Sequence, residues 1–126
     1  MKRNILLVFV FFMLGMATNV VAQTASTEML PKFPGGDVEL MQFVAQNLVY
    51  PEPAKTDKVE GRVIVEFTIT ANGNVEKAKI LRGLSPECDD EVLRIVGLMP
   101  QWTPAHEDGK PIDTSFVLPV IFKLNQ

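Results

Sequence analysis

Nucleophilic catalysis needs a thiol or hydroxyl beside a base, and this chain offers one cysteine, Cys88, and one histidine, His106. Cys88 begins the series Cys88, Val92, Ile95, Val96 and Met99, spaced i, i+4, i+7, i+8 and i+11, which is the buried stripe of an amphipathic helix. His106 falls in an acidic loop beside Glu107 and Asp108. The two are not expected to meet, so no catalytic residue is predicted. Cys88-Asp89-Asp90-Glu91 gathers metal-ligand types, but consecutive helical side chains fan around the axis, and one thiol with one imidazole falls short of a zinc site. These acids read instead as partners of the helix dipole. Phe33-Pro34-Gly35-Gly36 lacks the strand and the lysine of a phosphate loop and reads as a turn. Neither metal nor cofactor is expected.

The remaining candidate for function is a surface, which depends on the elements around it. Asp37 is a good N-cap for a helix over residues 37–47, with Val38, Met41, Phe43, Val44 and Leu48 as its apolar set. Tyr50-Pro51-Glu52-Pro53 stops that helix, and a short helical turn can follow near Ala54. Over residues 62–70, Val63, Val65, Phe67 and Ile69 alternate with polar neighbours as in a half-buried strand. Asn72-Gly73 then predicts a hairpin into a second strand over residues 75–81. A two-residue turn sets Val65 against Ile80, Glu66 against Lys79 and Phe67 against Ala78. It is preferred to a three-residue turn with Gly73 at a bulge, which would set Val65 against Lys79.

Ser85-Pro86-Glu87 is a helix start, with a hydroxyl cap, a first-turn proline and an early acid. Pro100 ends that helix, and Trp102, Pro104 and the Asp108-Gly109 turn are expected to carry the chain across the surface. In the last strand, from Thr114, the residues Phe116, Leu118, Val120, Phe122 and Leu124 alternate with Ser115, Val117, Pro119, Ile121 and Lys123. Pro119 makes it an edge strand or a bulged one. A proline placed at Val117 or Ile121 would delete a further donor. One of the two is expected to face the sheet and the other a partner. Cys88 is expected to be buried.

The chain has 126 residues. Lys2 and Arg3 precede an uncharged apolar run over residues 5–17, too short to be a typical membrane span and suited to a secretory signal. Val20 and Ala22 place cleavage after Ala22, and no cysteine follows to accept a lipid. The expected organisation is a signal peptide at 1–22, a short polar leader at 23–32 and one domain at 33–126. An inner-membrane anchor is the less favoured reading. Loss of Lys2 and Arg3 takes twelve basic residues to ten against fifteen acidic ones, a net charge of −5. Such a surface does not suit nucleic acid, which needs clustered basic residues.

The pieces in order resemble the TonB C-terminal domain family. They are Phe33-Pro34-Gly35-Gly36, Asn47-Leu48-Val49-Tyr50-Pro51 with Ala54, Gly61-Arg62-Val63, Asn72-Gly73, Leu81-Arg82-Gly83, Asp90-Glu91 with Leu93-Arg94, Met99-Pro100-Gln101-Trp102-Thr103-Pro104, Gly109-Lys110-Pro111, and Leu118-Pro119-Val120 with Phe122-Lys123-Leu124. The leading Phe-Pro-Gly-Gly helix is similar to the form common in Bacteroidetes-type members. The resemblance implies an α+β fold with a ββαβ core, its helices on one face of a three-stranded antiparallel sheet ordered second, first, last, plus an extra N-terminal helix. It implies a periplasmic location and a last strand, residues 114–124, that receives the TonB box of outer-membrane TonB-dependent transporters by strand addition. Tyr50 and Pro51 correspond to the region lying near the transporter. ExbB and ExbD of the inner membrane are the partners through which the family draws proton-motive energy to import iron chelates, cobalamin or glycans.

About eleven residues separate Ala22 from Pro34. Fully extended, they reach roughly 35 to 40 Å, short for a spacer that must cross the periplasm. The expectation is thus a peptide-binding module, with a regulatory adaptor or decoy that carries no force as the alternative. Exposed edges also allow a strand-exchanged homodimer.

Overall fold

The computed structural model describes residues 28–124. The expected signal segment and its cleavage site lie outside the described residues. Nine elements follow in order: β1 (Glu28–Met29), α1 (Asp37–Asn47), α2 (Glu52–Thr56), β2 (Gly61–Ile69), β3 (Val75–Arg82), α3 (Pro86–Gly97), β4 (Ala105–Glu107), β5 (Lys110–Ile112) and β6 (Thr114–Phe122). The α+β class and the main antiparallel sheet, in the order β3-β2-β6, agree with expectation.

Alternation drives this sheet. Val63, Val65, Phe67 and Ile69 of β2 are wholly buried, and Leu118, Val120 and Phe122 of β6 nearly so. Helix α3 closes the core with Cys88, Val92, Ile95 and Val96. Its start is as expected: Ser85 is the cap, and its Oγ accepts from the Cys88 amide at 3.2 Å. Burial of Cys88 is borne out.

The β2–β3 hairpin keeps the preferred pairs on either side of a turn that is one residue longer than expected. The Thr70 amide donates to the Asn74 carbonyl, so the loop holds three residues, with Gly73 at φ 88°. Val65 nonetheless faces Ile80, and Glu66 faces Lys79. The offset is absorbed at Phe67, opposite which β3 has two residues, Lys77 and Ala78, with Lys77 at φ 56°. That bulge restores the apolar pairing that a three-residue turn alone would have lost. Gly73 is also fixed from outside. Its carbonyl accepts from the Trp102 amide at 2.8 Å, and a Cβ at Gly73 would strike the Trp102 carbonyl.

Trp102 is a second correction. Expected on the surface, it is 4% exposed and lies between Phe33, Phe67 and Phe116, with ring centroids 5.5, 5.7 and 4.9 Å away. Helix α1 is a third. Its cap position is Gly36 rather than Asp37, without a side-chain cap, and its buried residues are Leu40 and Val44, with Phe43 packed alongside. Val38 and Met41, assigned to the apolar face, are 68% and 56% exposed. Part of the segment expected as a leader is woven into the fold, because β1 pairs with β4 and β4 with β5 to make a small second sheet around the Asp108-Gly109 turn. Lys32 and Thr103 exchange backbone hydrogen bonds beside it.

Candidate functional site

Both outer strands of the main sheet have an outer side, and their chemistry differs. Strand β3 is studded with exposed Glu76, Lys77, Lys79 and Arg82, and it breaks register twice, at Lys77–Ala78 and at Leu81. Charges and bulges of this kind discourage a further strand from pairing. Strand β6 instead keeps unbroken register with β2 through nine residue pairs, from Gly61 with Phe122 to Ile69 with Thr114. Among the described residues no strand pairs with its outer side. Val117 and Ile121, on the face away from the helices, are 49% and 63% exposed.

Parity decides which main-chain groups of β6 are free. Pro119 pairs with Ile64 in the ladder and has no N–H, so its nitrogen must face outward if Ile64 is to keep its own partners. In an antiparallel pair, alternate residues direct their N–H and C=O groups to the same side. Ser115, Val117 and Ile121 share the parity of Pro119 and present their amides outward. Val117 and Ile121, expected to differ in direction, therefore do not. Phe116, Leu118, Val120 and Phe122 point their side chains toward the core, and Leu124 follows the strand, its amide donating to Glu60 Oε2 at 2.8 Å.

A groove of about 770 Å3 runs along the first half of β6. Ser115, Val117 and Pro119 form one side, and Leu30, Leu40 and Met41 form the other. A smaller recess of about 360 Å3 lies at the far end of the strand, between Glu60, Arg62, Ile121 and Lys123.

The structure divides the expected partner-binding residues into two groups. Tyr50 is not on the outer edge: its ring stands edge-on to Phe122 at 5.4 Å, and its hydroxyl donates to the Val59 carbonyl. Partial burial, with the negative charge of Glu60 nearby, pushes that hydroxyl above its ordinary pKa. Pro51 caps α2 and borders a shallow recess with Val49, Glu87 and Asp90. Beside that recess lies a latch that sequence reasoning missed. Arg94 grips Glu91 through two bonds of 2.8 and 2.7 Å and donates to the Asn47 carbonyl at 2.7 Å, while Glu91 Oε2 accepts from the Val49 amide at 2.7 Å. The Arg94 guanidinium holds the Glu91 carboxyl below the usual carboxylate range.

The sequence reading also missed the wall residues Leu30 and Met41. The available signal was Met29-Leu30, an apolar pair inside an otherwise polar leader. Cys88 is fully buried and presents no thiol to a substrate, and His106 Nδ1 lies 3.0 Å from the Pro104 carbonyl. Among the described residues no group of three His, Cys, Asp or Glu could hold a metal ion, and no helix is long and apolar enough to cross a membrane.

Comparison with known proteins places this geometry. Residues 46–124 match the family model of the Gram-negative bacterial TonB protein C-terminal region. Protein TonB of Salmonella typhimurium is 34% identical over 76 residues, which are 60% of this chain and 29% of that protein. The chain thus spans under a third of that relative's length. The solution structure of the Helicobacter pylori TonB C-terminal domain superposes with a TM-score of 0.56 at 20% identity, covering 71% of this chain and 80% of that one, a likeness of fold.

Proposed function

Because the chain belongs to the TonB C-terminal domain family, we propose that it is a periplasmic peptide-binding module of TonB-dependent transport, taking up TonB-box-type segments of outer-membrane transporters on the outer edge of β6. The observation that carries this reading is the contrast between the sheet's two edges. One is charged and twice bulged, while the other keeps unbroken register, carries the apolar side chains Val117 and Ile121 and has outward amides at Ser115, Val117 and Ile121. An extended peptide laid there gains affinity from main-chain hydrogen bonds and selectivity from alternate side chains.

Glu91 and Arg94 support the same reading by clamping the Asn47–Val49 backbone. They fix the backbone just before Tyr50, whose ring packs against Phe122 at the far end of β6. ExbB- and ExbD-type proteins are the partners if the chain also transmits energy.

The test is an amide-resolved NMR titration with synthetic TonB-box peptides of outer-membrane TonB-dependent transporters. The expected shifts concentrate on Ser115, Val117 and Ile121 and spare β3. Shifts centred on β3, or none with any such peptide, overturn the proposal and favour an adaptor working through another surface.

A further inference from the structure

Residues 28–45 precede the span matched by the family model, yet Met29, Leu30, Leu40 and Met41 among them line the groove beside β6. Met29, Leu30 and Met41 are large apolar side chains left 57%, 85% and 56% exposed in one place. A cluster of this sort marks a contact surface more often than single scattered apolar residues do. The groove's charged lining residues are Lys32 and Asp37, one of each sign, so it offers no net charge to recruit an ionic partner.

The groove is mixed in a way that selects its occupant. One side holds main-chain donors and acceptors at every second residue of β6, and the other holds thioether and aliphatic groups. A purely apolar occupant would strip water from the β6 amides and give nothing back. A helix has spent its main-chain groups on itself and could not pair with them either. An extended peptide satisfies both sides, because its main chain pairs with β6 while its side chains alternate in direction.

Leu40 belongs to the core, so the wall stands on the helix face of the sheet. Every second side chain of an added strand would press against the exposed Leu30 and Met41, with the buried Leu40 behind them. The intervening ones would face solvent beside Val117 and Pro119. Two methionines among the lining residues adapt to several apolar shapes and offer nothing to a buried charge.

We infer that residues 28–45 form a selectivity wall that restricts the β6 edge to extended peptides with apolar side chains at alternate positions. This rests on the proposal that β6 is the receiving edge.

The test uses two short labelled peptides of identical Val and Thr content, flanked by lysines for solubility. One alternates Val with Thr and the other carries them in blocks. Fluorescence anisotropy on the full chain is expected to show the alternating peptide preferred by about tenfold, the scale set by burying one large apolar side chain. Leu30→Glu and Met41→Glu should each abolish that preference, weakening the alternating peptide more than the block peptide, which already sets Thr at some of its wall-facing positions. Both positions are exposed, so thermal melting should match the parent. Equal binding of both peptides by the parent, or a preference that survives both substitutions, overturns the wall and leaves the edge standing. No binding of either peptide overturns both readings. A parent that sediments as a dimer, and as a monomer after Leu30→Glu, assigns the groove to a second copy and also overturns the inference.

Discussion

Proline substitution along β6 separates a docking edge from a structural ladder. Val117 pairs with Glu66, Ile121 with Arg62, and Pro119 sits midway between them in the same register. Their shared parity means that Val117→Pro or Ile121→Pro repeats what Pro119 already does, removing an outward donor and leaving the bonds to β2 intact. Both side chains are about half exposed or more, so little packing is lost. Each change should lower stability by less than about 1 kcal/mol. One main-chain hydrogen bond is worth about 0.5–1.5 kcal/mol net, so affinity for a strand-adding peptide should fall by about 2- to 12-fold. Val120→Pro is the counterpart. Its amide points toward Val63 and its side chain is 2% exposed, so it loses a ladder bond and core packing together. That should cost about 3 kcal/mol or more, which on a domain of this size lowers Tm by about 12–24 °C. Circular dichroism melts and a peptide titration on the three variants decide the matter. If Val117→Pro melts as low as Val120→Pro, the parity argument is wrong. If both outer prolines leave folding and binding unchanged, β6 is not the site.

Gly73→Ala should cost about 2–4 kcal/mol, combining a left-handed backbone with displacement of Trp102, whereas Gly109→Ala, at φ 80° with open space around it, should cost about 1 kcal/mol; chemical denaturation of the pair would expose equal losses as a failure of this account. Cys88 should resist thiol reagents in the native state, and Cys88→Ala should cost about 1 kcal/mol through lost packing without altering peptide binding; rapid native labelling would contradict its place in the core. Glu91 has a depressed pKa in the folded chain, so its contribution is present above the ordinary carboxylate range and is lost as pH falls through the folded value. Melts from pH 7 down to pH 3 should therefore fall less steeply for Glu91→Gln than for the parent, and parallel curves would refute the latch. Lys123→Ala removes an exposed side chain from the end of the edge and should weaken peptide binding by no more than about twofold, as the titration above would show.

Local chemistry alone fixed much of this protein. Ser85-Pro86 starts α3 because a hydroxyl cap and a proline suit a first turn wherever they stand, and the Cys88-to-Val96 stripe has only one helical face to bury. The alternation of β2 and β6 likewise dictates which side chains enter the core, and Pro119 marks a strand that lies at an edge or carries a bulge, of which the structure selects the edge. Helix α1 was less legible because its apolar residues fall on both sides, and only packing against Phe33 and the sheet selects Leu40 and Val44 over Val38 and Met41. Trp102 was misplaced for a similar reason: its neighbours Phe33, Phe67 and Phe116 are remote in sequence, and nothing local announces that they converge. Even the hairpin register was decided from outside. Trp102 holds Gly73 in a three-residue turn, and the bulge at Lys77–Ala78 then restores the pairing that core burial demands. The groove belongs wholly to the tertiary structure, since it exists only where the segment before α1 returns alongside a strand some eighty residues later, and sequence periodicity records the faces of elements but not which faces meet.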